Sequence, residues 1–221
     1  MEYPIKILRI EKVTHDVKRF VCERPQGYEF TPGQATEVSI NKKGWEEEKR
    51  PFTFTALADA PYLEFTIKRY ADHKGVTNEI HMLEPGDELI VRDVWGTINY
   101  QGPGYFIAGG AGITPFIAIL RQLKKENKLD DNKLFFSNKT EEDIIIEPEL
   151  TSMLKENVIY TISDEKSSKY HNGYIDEKFL KENIDDYNKH FYLCGPPPMM
   201  DAIQEIFSRL GISPETIVFE L

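Results

Sequence analysis

Hydrophobic and polar residues alternate in short runs through residues 1–101. Runs rich in β-branched and aromatic residues, bounded by turn-forming proline and glycine, are typical of strands. The pattern predicts a short helix at 78–83 and strands at 5–13, 18–23, 35–40, 52–57 and 63–69. Many short strands with one small helix favour a closed antiparallel β-barrel.

After Gly102-Pro103-Gly104 the pattern changes to apolar strands that alternate with amphipathic helices. It predicts strands at 105–108, 133–137, 158–162, 190–194 and 216–219, and helices at 115–128, 176–183 and 197–210. Helix 115–128 should bury Phe116, Ile117, Ile119, Leu120 and Leu123. Strand–helix alternation predicts an α/β domain with a parallel five-stranded sheet. We therefore expect two domains, at residues 1–101 and 102–221.

The composition excludes several classes of protein. A chain of 221 residues with 40% hydrophobic and 29% charged residues is typical of a globular protein with two compact domains. A formal net charge of −10 argues against a nucleic-acid partner, because binding phosphates requires a basic face. No segment approaches the ~18 consecutive apolar residues of a membrane span, and the N-terminus lacks a signal-peptide pattern.

The chain contains two cysteines, Cys22 and Cys194, which fall in different predicted domains. This usage favours a reducing cytoplasmic setting over a disulfide. Two cysteines cannot supply the four ligands of a conventional iron–sulfur cluster, and we expect no metal site.

A glycine-rich turn, Gly-Gly-Ala-Gly-Ile-Thr-Pro at 109–115, joins a predicted strand to a predicted helix. Backbone amides and the helix dipole at such a corner favour an anion, and glycine lets the backbone approach a diphosphate. Thr114 adds a hydroxyl, and Pro115 suits the first helical turn. The alternative is a tight structural turn, because the segment lacks the third glycine of the dinucleotide fingerprint.

Three other segments are candidates for binding. Cys-Gly-Pro-Pro-Pro-Met at 194–199 follows a strand at the edge of the predicted sheet where ligands bind. The alternative interpretation of this segment is structural, as a buried cysteine followed by a rigid proline turn. Arg-Pro-Phe-Thr at 50–53 offers an arginine, an aromatic ring and a hydroxyl to a ligand. The alternative interpretation is that the arginine is an ordinary surface charge and the threonine an ordinary strand residue. Gly75-Val76-Thr77 is a second phosphate cradle or an ordinary helix cap.

In this order the motifs resemble those of the ferredoxin–NADP⁺ reductase superfamily, especially its short bacterial flavodoxin/ferredoxin reductases and oxygenase reductase components. The resemblance spans almost the whole chain. It implies an FAD-binding barrel domain, a domain that binds NADH or NADPH, and hydride transfer from nicotinamide C4 to flavin N5. Electrons would pass to a small carrier such as ferredoxin or flavodoxin, or to an oxygenase component.

The resemblance also implies a role for each matching residue. Arg50 would pair with the FAD diphosphate, Phe52 would stack on the flavin, and Thr53 would hydrogen-bond near N5. Cys194 would lie against the nicotinamide ring, and Glu220 would complete a catalytic set with Thr53 and Cys194. The remaining residues expected to bind a cofactor are Pro51, Lys68, Gly75, Val76, Thr77, Gly110, Gly112, Thr114, Gly195, Pro196 and Met199.

The choice of dinucleotide depends on the segments after the second and third strands of the α/β domain. NADP-specific relatives place basic residues there. Ser137-Asn138-Lys139 offers one lysine, whereas Ser163-Asp164-Glu165 offers acids, which disfavour a phosphate and suit ribose hydroxyls. We therefore expect NADH rather than NADPH.

Two other functions stay open on the sequence alone. One is a reductase of free flavin or ferric chelates. The other is a flavin-binding assembly subunit or redox sensor without catalysis. Thr53, Cys194 and Glu220 together count against the second, because a binding module needs none of them.

Overall fold

The computed structural model describes residues 1–71, 75–96 and 98–219. These residues form two six-stranded sheets, one with antiparallel pairs and one with parallel pairs. We call the first sheet and its helix the barrel lobe, and the second sheet and its helices the α/β lobe. The two-part architecture expected from the sequence is thus confirmed.

The barrel lobe closes on itself. Its strand order is β4-β3-β6-β1-β2-β5, and a bridge between Phe54 and Phe65 joins the two edges. The amide of Thr55 also donates to the Glu64 carbonyl at 2.9 Å. Its elements are β1 (Tyr3–Lys12), β2 (Val17–Glu23), β3 (Ala35–Ile40), β4 (Arg50–Thr53), β5 (Tyr62–Lys68), α1 (Val76–Ile80) and β6 (Glu88–Trp95).

The elements of this lobe differ from the prediction in several places. Strand β6 was missed, although it pairs with both β1 and β3 and is central to the sheet. Its three consecutive apolar residues at 89–91 break the alternation, because side chains on both faces of the strand are buried there. Strand β4 begins two residues earlier than predicted. Helix α1 also begins earlier, because the Gly75 carbonyl accepts its first amide hydrogen bonds.

The α/β lobe is a doubly wound parallel sheet with strand order β10-β9-β8-β7-β11-β12. The two-residue edge strand β10 makes it six-stranded rather than five-stranded, and two residues are too few to show a period. Its elements are β7 (Gly104–Gly109), α2 (Thr114–Lys125), β8 (Lys133–Asn138), α3 (Glu147–Leu154), β9 (Val158–Ile162), β10 (His171–Asn172), α4 (Glu177–Asn183), β11 (His190–Cys194), α5 (Pro197–Leu210) and β12 (Ile217–Phe219).

Helix α2 lies between the sheet of its own lobe and the barrel. The apolar residues predicted on its inward face, from Phe116 to Leu123, are all buried. Val17 of strand β2 belongs to the same apolar cluster, which means that the barrel contributes to the core beside α2. The Ile119 side chain also approaches Gly33 of the barrel. The two lobes therefore meet along this helix.

Within the described part of the chain, no helix is both long and apolar enough to cross a membrane.

Candidate functional site

Two turns of the α/β lobe meet at the carboxyl edge of its sheet. Strands β7 and β11 are paired in parallel with Ala108 opposite Cys194, so the turns that follow them lie side by side. A β-carbon on Gly112 would stand 2.3 Å from the Cys194 carbonyl oxygen, and one on Gly109 would stand 2.5 Å from the Met199 sulfur. Glycine alone permits this approach of backbone to backbone. Ligands of open α/β sheets bind at this edge.

The glycine turn leaves room for a ligand. Gly110 has φ 51°, in the left-handed region, and no heavy atom lies within 4 Å of the position that a β-carbon would take. A 3-10 turn over Gly110–Ile113 then leads into helix α2. The Thr114 hydroxyl donates to the Ala111 carbonyl at 3.0 Å, so it can still accept a hydrogen bond. An unfilled space over a glycine backbone fits the diphosphate of a dinucleotide.

The structure brings the predicted residues of the second turn to the same edge. Cys194 ends β11 and is partly buried against the apolar cluster beside α2. The Pro196 carbonyl accepts from the amides of Met199 and Met200 as α5 begins. The predicted members that meet here are Gly110, Gly112, Thr114, Cys194, Gly195, Pro196 and Met199. Their contact with a dinucleotide stays a prediction.

The segment predicted to hold the flavin forms β4, the last strand at one edge of the barrel sheet. Arg50 is exposed; its guanidinium donates to the Lys49 carbonyl at 2.6 Å and lies 4.0 Å from the Glu48 carboxylate. Such a weakly held guanidinium can turn towards a diphosphate. Pro51 is exposed, whereas Phe52 is partly buried against the barrel core. Thr53 is half-buried and paired with Ala35.

The predicted second diphosphate loop lies at the start of α1. Gly75 has an extended backbone with φ −99°, and no heavy atom lies within 4 Å of its β-carbon position. Val76 is buried in the barrel core, while Thr77 is partly exposed. The loop therefore presents open backbone at Gly75, and its contact with FAD stays a prediction. Glu220, the third residue of the predicted catalytic set, lies outside the described residues.

Lys68 connects the lobes. Its ammonium lies 2.9 Å from the Asp16 carboxylate in the barrel and 3.6 Å from the Asp143 carboxylate, which follows β8 in the α/β lobe. Burial opposes the charge of Lys68, but Asp16 and Asp143 outweigh it and raise the pKa of this ammonium. The side chain thus already has two anionic partners, and sequence reasoning did not anticipate either. Its predicted contact with a cofactor remains a prediction.

The two segments expected to select the dinucleotide are adjacent. The Ser163 amide donates to the Asn138 carbonyl at 3.1 Å, and the Asp164 amide donates to the Lys139 carbonyl at 2.9 Å. The side-chain oxygens of Asn138 and Thr161 are buried without a hydrogen-bond partner among the described residues. Asn138 belongs to the segment Ser137-Asn138-Lys139 that was expected to select the dinucleotide. Thr161 was not predicted as part of this region, because a threonine inside a strand of β-branched residues has no distinctive sequence pattern.

Comparison with known proteins agrees with this architecture. A family model described as "Oxidoreductase NAD-binding domain" matches residues 106–205. The NADH-cytochrome b5 reductase 2-A of Vanderwaltozyma polyspora is 30% identical over 217 residues, which cover 90% of this chain and 72% of the relative. The reductase component of propane 2-monooxygenase from Rhodococcus jostii is 26% identical over 97% of this chain. This chain spans only 62% of that relative's length.

A solved structure, that of a ferredoxin NADP⁺ reductase from Neisseria gonorrhoeae with bound FAD and NADP, superposes with a TM-score of 0.87. The match covers 99% of this chain and 98% of that chain at 21% identity, so it shows the shared fold. An antiparallel barrel joined to a doubly wound parallel sheet is the two-lobed fold that this chain shares with that reductase. The chain belongs to the ferredoxin–NADP⁺ reductase superfamily.

Proposed function

We propose that this chain is an FAD-dependent oxidoreductase that takes a hydride from NAD(P)H and passes electrons to a small carrier protein or an oxygenase component. The observation that carries the proposal is the contact of the Gly112 turn with the Cys194 turn. This contact builds a ligand edge with open space over Gly110, in a chain with relatives that are reductases.

When bound, the nicotinamide supplies a hydride and the flavin accepts it and can release electrons singly. The barrel lobe contributes binding and orientation. Arg50 offers a guanidinium fork to the FAD diphosphate, and the backbone at Gly75 offers a second place for it. Phe52 supplies an aromatic face for stacking, and Thr53 supplies a hydroxyl for a hydrogen bond.

The α/β lobe holds the dinucleotide and orients its ring. The backbone at Gly110 and Gly112 receives the diphosphate, and the Cys194 side chain borders the nicotinamide. The Thr53 hydroxyl borders the reacting rings, and the family resemblance assigns Glu220 to the same catalytic set. Alignment within a near-attack distance, roughly 3–3.5 Å, is the chief contribution of a protein to such a transfer.

We assign NADH as the preferred donor. The Asp164 carboxylate accepts from the Ser163 hydroxyl at 2.6 Å, and Glu165 accepts from the Glu141 amide at 2.6 Å. Two carboxylates beside the 138–139 segment repel a 2′-phosphate and suit ribose hydroxyls. Backbone hydrogen bonds from the 163–164 segment to the 138–139 segment support the placement of these carboxylates beside residues 138–139.

The experiment uses the full chain purified with FAD, without oxygen, mixed with NADH or NADPH in a stopped-flow spectrophotometer. A flavin spectrum that bleaches within seconds, faster with NADH, is the expected result. The reduced protein is then offered ferredoxin, flavodoxin, free FMN or ferric citrate. Faster reoxidation by a carrier protein supports the proposed acceptor, whereas faster reoxidation by FMN or ferric citrate assigns the chain to the small-acceptor reductases.

A colourless protein that binds no added FAD would refute the proposal. A yellow protein that does not bleach with either dinucleotide would instead favour a flavin-binding subunit. The T53V variant, which lacks the hydroxyl, should bleach more slowly than T53S, which retains it. Equal rates in the two variants would exclude Thr53 from the catalytic set.

A further inference from the structure

We infer that Arg121 is a positioning residue that holds the glycine turn of the α/β lobe and the chain after strand β4 in one fixed arrangement. The inference rests on the proposed function, because it gives Arg121 a part in aligning the two predicted cofactor sites. Arg121 lies on helix α2 and belongs to none of the sequence motifs described above.

The Arg121 guanidinium makes four hydrogen bonds. Its Nε and Nη2 donate to the two carboxylate oxygens of Glu149, at 2.6 and 2.9 Å, in a bidentate pair within the α/β lobe. Its Nη1 crosses to the barrel lobe and donates to the Thr55 carbonyl at 2.6 Å and to the Glu64 carboxylate at 2.7 Å. One side chain therefore binds both lobes at once.

On the barrel side, the carboxylate that accepts from Arg121 is itself held in place by a further hydrogen bond. Glu64 has a side chain that is 7% exposed, and its Oε1 also accepts from the Thr55 hydroxyl at 2.8 Å. The Arg121 side chain is 17% exposed, and charge-assisted hydrogen bonds with little water around them are strong and directional. Arg19 approaches Glu64 and Glu149 only at 3.9 and 3.8 Å, so it cannot replace the fork.

Short stretches of chain lead from Arg121 to both predicted sites. Thr55 is two residues beyond Thr53, and the bond to its carbonyl fixes the backbone there. Thr114 begins helix α2, and Arg121 lies about two helical turns further along. Because a helix is stiff over two turns, holding Arg121 against Thr55 fixes the glycine turn relative to the end of β4.

A second ion pair between the same helix and the barrel provides a matched control. Lys125, four residues after Arg121, pairs with Asp59. These side chains are 49% and 66% exposed, and exposed pairs contribute little to structure. Lys125 therefore shares the helix and the bridging topology of Arg121, but not its burial or its fork.

The test compares R121M, R121K and K125A with the wild-type protein, all loaded with FAD. The first measurement titrates NAD⁺ into the chemically reduced protein and records the long-wavelength absorbance that arises when nicotinamide and flavin rings overlap. Its amplitude at saturation reports ring overlap, and its midpoint reports affinity. The second measurement is the rate of flavin reduction at saturating NADH.

In R121M, the amplitude and the rate should fall about tenfold or more, because small misplacements of reacting groups are costly. The midpoint should change less than about threefold, since the dinucleotide contacts are intact. R121K should be intermediate, because an ammonium keeps the charge without the planar fork. K125A should stay within about twofold of the wild type.

Wild-type amplitude and rate in R121M would overturn the inference, as would a loss explained entirely by a weaker midpoint. An equal loss in K125A would also overturn it. If R121M fails to fold, a wild-type amplitude and a wild-type reduction rate in R121K would overturn the inference instead. A wild-type protein that neither binds FAD nor bleaches would refute the proposed function and this inference together, whereas the other results concern Arg121 alone.

Discussion

Gly112 and Cys194 lie in contact through their backbones, with the β-carbon position of Gly112 at 2.3 Å from the Cys194 carbonyl oxygen. The two residues are 82 positions apart in the chain, and the parallel pairing of β7 with β11 brings them together. The glycine turn and the cysteine turn are therefore one structural unit. A substitution that shifts the backbone of one turn should therefore also shift the other.

The G112A variant tests that unit. The added methyl group cannot fit at 2.3 Å, so the turn must shift, and overpacking of this kind costs about 1–3 kcal/mol in unfolding free energy. Urea unfolding measures the loss, and NADH affinity should fall with it. In the FAD-free protein G75A is the control for stability, because its methyl group meets no atom within 4 Å and should change the unfolding free energy by about 1 kcal/mol or less. Wild-type stability in G112A would contradict the contact.

Arg50 should contribute to FAD affinity and not to the stability of the apoprotein. Its side chain is half-exposed, and the Glu48 carboxylate, its ion-pair partner among the described residues, is 4.0 Å away. Losing charge-assisted hydrogen bonds to a diphosphate costs about 1.5–3 kcal/mol, so R50A should bind FAD about 10- to 150-fold more weakly. Fluorescence titration measures the affinity, with R9A, another exposed arginine, as control. An unchanged FAD affinity in R50A would remove Arg50 from the site.

The two cysteines should differ in reactivity. Cys22 is fully buried, and burial, assisted by the charge of Glu23, raises the pKa of its thiol to about 12. Cys194 is partly exposed at the turn. Iodoacetamide at about pH 8 should therefore modify the accessible Cys194 and spare Cys22, because burial shields the Cys22 thiol and suppresses its reactive thiolate.

Dinucleotide should protect Cys194 from this reaction if its side chain borders the nicotinamide. Mass spectrometry of the alkylated protein, with and without NAD⁺, measures the protection, and C194A supplies the unlabelled reference. Labelling of Cys22 in the native protein would contradict its burial. If Cys194 is labelled at the same rate with saturating NAD⁺ as without it, its side chain does not border the nicotinamide ring.

The buried histidine His81 should make the protein less stable in mild acid. Burial lowers the pKa of His81, and the charges of Lys18 and Arg69 add to the effect, against opposing contributions from the Ile67 carbonyl and Asp16. The unfolded chain then binds a proton more readily than the folded one. The stability that His81 contributes is therefore present above about pH 6.5 and is lost as the pH falls through the lower folded value.

Urea unfolding between neutral and mildly acidic pH measures this dependence. In H81Q the slope below about pH 6.5 should be smaller than in the wild type, because the buried imidazole no longer titrates. H171Q, which replaces an exposed histidine, is the reference for the substitution itself. An identical slope in H81Q and the wild type would exclude His81 as the source.

Several features of the fold and the site could be predicted from local patterns. The period-2 runs of the first half and the strand–helix alternation of the second indicated a barrel and a parallel sheet, and both are confirmed. The order of the glycine, cysteine and arginine motifs indicated the superfamily. Strand β6 was missed because consecutive residues of it are buried on both faces and show no alternation, and β10 was missed because two residues have no period.

The sequence by itself determined the class of fold and the glycine turns where backbone segments approach each other closely, because periodicity, glycine and proline act over a few neighbouring residues. Only the tertiary structure decided what joins the lobes. Arg121 reaches Thr55 across 66 positions, and Lys68 lies between Asp16 and Asp143. The partner of a buried charge depends on how distant segments pack, and no local period carries that information.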